Sequence, residues 1–172
     1  MSILRTTIYW IGRLYIWATY RLYNEFAWAY DLASWVVSLG HWAGWRSMAL
    51  DHVVGQRVLE VGFGTGELLI EGARRGLQMH GLDLSLAMQR VTARKMRHSD
   101  VWVPRVRALV QRTPFADGSF DSIVSTFPAA YILDPATLQE VARLLREPDA
   151  NSDTPGGRFV VVGLTATTNS PL

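Results

Sequence analysis

Between Arg57 and Ile70 the chain reads RVLEVGFGTGELLI, an apolar run that meets three glycines at alternate positions and then turns polar and helix-prone. The run is too short for a buried helix and long enough for a buried strand. Gly62, Gly64 and Gly66 then allow a tight turn with bare backbone on its outside. A strand, a glycine turn and a helix in direct succession mark the opening of a βαβ unit, hence a parallel sheet covered on both faces.

The remaining pattern continues that alternation. The expected strands are 57–61, 78–83, 103–110, 120–127 and the run RFVVVGL from Arg158. Helices are expected over 67–75, ended by Gly76 as C-cap, over 86–97, and from Pro135 to about Arg146. Ser85 and Asp134 are the N-caps of the last two. Pro104 sits near the start of the third strand, where a missing N–H is best tolerated, and Pro128 stops the fourth. EPDANSDTPGG reads as loop, and TATTNSPL has neither periodicity nor apolar mass. The fold class is therefore α/β, a doubly wound, mostly parallel sheet of about five strands. No internal repeat is present.

Composition removes several functions. With no cysteine there is no disulfide, thiolate metal site or cysteine nucleophile, and a reducing, cytoplasmic setting is the simplest reading. The four histidines have no metal-ligand spacing and none sits in a motif that would make it a general base. A net charge of +2 is too small for a dedicated nucleic-acid binder, and the cluster Arg90, Arg94, Lys95, Arg97 reads as a solvated helix face. The first 45 residues are crowded with Trp and Tyr, and Arg5, Arg13 and Arg21 interrupt any membrane-spanning run. Residues 1–50 are expected to form a pair of amphipathic helices capping a core of residues 51–172, within one domain. The alternative is a helix lying on a membrane surface, which would make the protein peripheral to the membrane.

In such a sheet, ligands sit at the carboxyl ends of the strands, where the glycine turn and the following helix bring N–H groups close. Asp83, roughly 20 residues beyond the loop, is placed to accept hydrogen bonds from a ribose diol. The nicotinamide dinucleotides need G-x-G-x-x-G, whereas this spacing is G-x-G-x-G, and Glu67 would repel a pyrophosphate. Glu60 instead suits a cation such as an ammonium group. A ribose at one end and an amino-acid ammonium at the other describe S-adenosylmethionine.

VLEVGFGTGELL, GLDLSLAM, TPFADGSFDSIVSTFP and LQEVARLLR followed by PGGRFVVV together resemble the class I S-adenosylmethionine-dependent methyltransferases, nearest to the ubiquinone/menaquinone branch. The resemblance covers residues 56–162 and implies a Rossmann-like core. It also implies a cofactor site of Glu60, Gly62, Phe63, Gly64, Gly66, Asp83, Leu84, Met88, Leu109, Val110 and Thr126. Here Glu60 takes the amino group, Gly62 and Gly64 the methionine part, Asp83 the ribose, and Leu84 and Met88 flank the adenine. YNEFAWAYD resembles the family's N-terminal cap, which puts Tyr23 and Tyr30 with Phe127 on the substrate side.

Two departures stand out. Leu109 occupies the place where the family commonly has an Asp to the adenine amino group, leaving that contact to the Val110 or Gln111 backbone. Family members also add two strands after the fifth, and this chain ends just past Gly163, so the fifth strand is expected to be an exposed edge that could pair with a second subunit. The expected function is methyl transfer to a small, apolar or lipid-like acceptor by in-line displacement, with no nucleic acid and no identifiable catalytic residue. The alternative is a non-catalytic cofactor-binding protein or an incomplete methyltransferase fragment.

Overall fold

A computed structural model describes residue 36 and residues 38–148 and 155–163. Of the expected N-terminal cap, residues 1–35 and 37, with Tyr23 and Tyr30, lie outside the described residues. In chain order the elements are α1 (Trp42–Ser47), a 3-10 turn (Met48–His52), β1 (Arg57–Val61), α2 (Glu67–Arg74), β2 (Gln78–Leu82) and α3 (Leu86–Ser99). β3 (Arg105–Val106), β4 (Ser122–Thr126), a second 3-10 turn (Ala130–Leu133), α4 (Pro135–Leu144) and β5 (Arg158–Val162) follow.

The five strands form one parallel sheet in the order β3-β2-β1-β4-β5. Its central strands are buried on both faces, as crossover helices require: Val58 to Val61 of β1 and Ser122 to Ser125 of β4 are all buried. Alternate residues feed two cores. Val58, Val124 and Val160 pack with Leu68 and Leu69 of α2 on one face, while Leu59, Val61 and Ile123 meet Val141 and Leu144 of α4 on the other. The strand order reverses at the β1–β4 pair, which places the natural ligand crevice beyond their carboxyl ends.

Expected caps are in place. The Ser85 hydroxyl accepts the Met88 N–H at 3.3 Å, and the Asp134 carboxylate accepts that of Ala136 at 2.9 Å with Pro135 as the first helical residue. α3 runs two residues further than expected and ends where Asp100 turns left-handed (φ 51°). The third strand is a correction: instead of 103–110 it comprises two residues. Pro104 offers only its carbonyl, which accepts the Gly81 N–H at 2.9 Å, and a turn closed by Arg112 N–H to the Leu109 carbonyl leads the chain off the sheet. β4 likewise begins later than expected, because Phe120 forms an isolated bridge to Leu145, and it stops before Phe127, whose φ is 50°.

At the amino end of the sheet Asp121 ties three segments together. Its Oδ2 accepts the backbone N–H groups of Gln56 and Arg57 at 3.0 and 2.9 Å, and its Oδ1 accepts Arg57 Nη2 at 3.0 Å and Arg146 Nε at 3.1 Å. Burial alone would raise this carboxyl, but the Arg57 and Gln56 donors together with Arg146 outweigh it and hold Asp121 well below its ordinary value of 3.8. A depressed carboxylate stabilises the fold fully above the unfolded-state value and loses that contribution as pH falls through the folded one. Asp121→Asn should therefore cost about 1.5–3 kcal/mol in urea unfolding at pH 7. The gap to wild type should narrow below pH of about 4; a gap independent of pH would contradict an ionic role.

Candidate functional site

The loop between β1 and α2 turns left-handed three times, at Gly62 (φ 73°), Gly64 (φ 54°) and Gly66 (φ 77°). Gly62 N–H extends the β1–β2 ladder to the Leu82 carbonyl at 2.7 Å, and Gly66 N–H closes the turn on the Phe63 carbonyl at 2.9 Å. From α3, the Thr92 hydroxyl donates to the Gly64 carbonyl at 3.0 Å. A Cβ added at Gly64 would meet nothing within 4 Å, so the loop presents bare backbone to open space there.

Asp83 follows β2 and grips this loop. Its Oδ2 accepts the Gly64 N–H at 2.9 Å and its Oδ1 the Ser85 N–H at 2.8 Å, so one carboxylate joins the glycine turn to the start of α3. Burial raises the carboxyl above its ordinary value, against the two N–H donors. Each oxygen keeps a second lone pair, enough to accept a pair of vicinal hydroxyls.

Glu60 lies beneath the loop with 1% of its surface exposed. Burial pushes its carboxyl up to about 8; the Arg46 charge opposes that rise, Asp83 adds to it, and a hydrogen bond with the Leu69 backbone opposes it. The Leu69 N–H belongs to the first turn of α2, so Glu60 also satisfies one of that helix's orphan donors. Its Oε2 is buried without a hydrogen-bond partner among the described residues. A buried carboxylate oxygen left over beside open backbone is a polar set that a donor or cation would complete. The residues present therefore fit a ligand with a ribose diol for Asp83 and an ammonium group for Glu60.

The other expected residues divide by exposure. Leu84 (52% exposed) and Leu109 (55%) are open to solvent, and Arg107 Nε donates to the Leu84 carbonyl at 2.8 Å. Val110 is buried and Thr126 half-buried. The Phe63 and Met88 side chains are buried, at 3% and 0% exposed. Phe127 stacks on Trp42 with ring centroids 4.0 Å apart.

Sequence reading missed Tyr131, Ser125 and Arg46. The Tyr131 hydroxyl covers Gly62, where an added Cβ would lie 2.4 Å from it. It is hydrogen-bonded to the Ser125 side chain, and the Ser125 hydroxyl donates to the Val61 carbonyl at 2.8 Å. Burial first, then the nearby Asp83 and Glu60 charges, raise the phenol against the Ser125 bond. Tyr131 rides on a short 3-10 turn, which has no periodic signature, so only its position soon after β4 could have marked it. Among the described residues no group of His, Cys, Asp and Glu could hold a metal ion.

Comparison with known proteins agrees with this geometry. The family model described as methyltransferase domain matches residues 58–148. The chain is 33% identical over 154 residues to a demethylmenaquinone methyltransferase of Renibacterium salmoninarum, covering 87% of this chain and 60% of that protein. It is 35% identical over 152 residues to one from Mycobacterium sp. (strain KMS), covering 86% and 60%. The chain thus spans about 60% of the length of the curated relatives it matches. Among solved structures, geranyl diphosphate C-methyltransferase from Streptomyces coelicolor A3(2) superposes with a TM-score of 0.59 at 22% identity, over 69% of this chain and 44% of that one, a likeness of fold. A family match over more than half the chain, on a five-stranded parallel sheet whose glycine loop and two carboxylates sit at the strand ends, makes this protein a member of the class I methyltransferase-domain family.

Proposed function

We propose that the chain binds S-adenosylmethionine and transfers its methyl group to a small-molecule acceptor of apolar or lipid-like character. The observation that carries the reading is the unpartnered, fully buried Glu60 Oε2 next to the open backbone of Gly64 and the carboxylate of Asp83. The printed names of the relatives support a small-molecule acceptor, since they are demethylmenaquinone methyltransferases.

When bound, S-adenosylmethionine supplies an electrophilic methyl on a sulfonium, and the chain's own residues have to hold, orient and dry the site. Asp83 would accept the ribose hydroxyls while its grip on Gly64 and Ser85 keeps the loop in one shape. Glu60 would meet the ammonium and the Gly62–Gly64 backbone the methionine carboxylate. Leu84, Leu109 and Val110 would bound the adenine, with no carboxylate to its amino group. Thr126 and Phe127 would border the acceptor. In-line displacement chiefly needs alignment and exclusion of water, and no base is invoked. The aromatic N-terminal segment, with Tyr23 and Tyr30, would close over the site and touch the membrane surface, and pairing through β5 would give a homo-oligomer. Binding without transfer is the alternative, a cofactor-binding protein that lacks an acceptor site.

Calorimetry separates these readings. S-adenosylhomocysteine should bind to the wild-type chain, and no heat at millimolar ligand would sink both. Asp83→Ala should weaken that binding by about 1.5–3 kcal/mol, and unchanged affinity would remove the ribose role. For Glu60 the sign follows from a folded-state value of about 8 against an ordinary 4.5. A raised carboxyl stabilises the fold below the unfolded value and loses that contribution as pH rises through the folded one. Ligand-free wild type should therefore lose thermal stability between about pH 4.5 and 8, the slope should become markedly shallower in Glu60→Gln, and saturating S-adenosylhomocysteine should flatten it in wild type. A slope unchanged by the substitution would assign it to another group.

A further inference from the structure

α3 is the longest helix described, and its two faces do different things. Met88, Thr92 and Met96, four residues apart, are buried against the rest of the fold. The opposite face carries Leu86, Arg90, Arg94, Arg97 and His98, all exposed, and the helix has no Asp or Glu anywhere between residues 86 and 99. Four arginines elsewhere in the fold are neutralised: Arg57 and Arg146 by Asp121, Arg75 by Asp51 and Glu71, Arg143 by Asp117 and Glu140. The guanidinium groups of Arg90, Arg94 and Arg97 make no ion pair or hydrogen bond among the described residues. Lys95, on the flank, is paired with Glu67.

A second observation concerns the end of the helix. Trp102, two residues past the Asp100 cap, is 78% exposed, and with Ala93, Arg97, Asp100 and Arg105 it lines one open depression. At the other end Leu84 and Leu86 are exposed by 52% and 45%. Apolar groups thus flank three free guanidinium groups along a helix of about 20 Å. Such a line matches the boundary of an anionic bilayer: arginines meet the headgroup phosphates while indole and leucine enter the acyl boundary. A nucleic acid would satisfy the arginines but give Leu84 and Leu86 nothing to bury against.

We propose that the outer face of α3, extended by Trp102, docks flat on a membrane containing anionic phospholipid. α3 starts three residues after Asp83, so docking brings the strand-end crevice close to the headgroup level, where a lipid-like acceptor would be drawn from the bilayer. The docking surface itself stands independently of the cofactor reading and is distinct from the aromatic N-terminal segment.

The test uses the full chain and sedimentation with vesicles of phosphatidylserine and phosphatidylcholine, against vesicles of phosphatidylcholine alone. The wild-type chain should sediment with the anionic vesicles and be released by salt. Arg90→Gln, Arg94→Gln and Arg97→Gln combined should weaken this by about 100-fold, from three lost cation–surface contacts. Trp102→Ala should weaken it roughly tenfold, with circular dichroism and S-adenosylhomocysteine binding unchanged in both variants. Vesicle binding by the triple variant equal to wild type, or no wild-type binding to anionic vesicles, would overturn the proposal. So would tighter binding to an oligonucleotide than to the vesicles. Failure of S-adenosylhomocysteine binding in every variant and in wild type would instead sink the proposed activity and leave the docking surface standing.

Discussion

The site depends on one carboxylate held between two backbone amides. Asp83 accepts N–H groups from Gly64 and Ser85, the first in the turn after β1 and the second at the cap of α3, so two loops from adjacent strands are fixed by a single side chain. The left-handed glycines allow the turn but do not choose among the many conformations open to them. The Asp83 grip, with the Thr92 hydroxyl on the Gly64 carbonyl, makes that choice. Charge-assisted hydrogen bonds of this kind are short and directional, which is what a preorganised binding loop requires.

The two ends of the sheet treat their carboxylates in opposite ways. At the amino end Asp121 is saturated by five donor groups and is a structural tie. At the carboxyl end Glu60 is short of donors, and both Glu60 and Asp83 are raised by burial. A fold that satisfies one carboxylate fully leaves Glu60 with an unpartnered oxygen near the open backbone of Gly64. That asymmetry is a physical marker of a binding end, and it agrees with the position where strand order reverses.

Much of this was legible in the sequence because short-range rules governed it. The strand of RVLEV, the glycine turn, and the caps at Ser85 and Asp134 each depend on a few neighbouring residues. What failed depended on distant partners. The third strand shrank to Arg105–Val106 because the chain beyond it turns away toward α4, where Glu140 accepts both the N–H and the hydroxyl of Thr113. Tyr131 reaches Gly62 across the sheet, a contact between residues far apart in the chain that no local pattern encodes.

Phe127 stores the last consequence. A side chain other than glycine in the left-handed region costs roughly 1–2 kcal/mol, and this residue is held there with its N–H on the Val162 carbonyl at 2.6 Å and its ring against Trp42. The indole comes from α1, ahead of the whole sheet, so the turn that leaves β4 is pinned from two sides, by a neighbouring strand through its N–H and by an earlier helix through its ring.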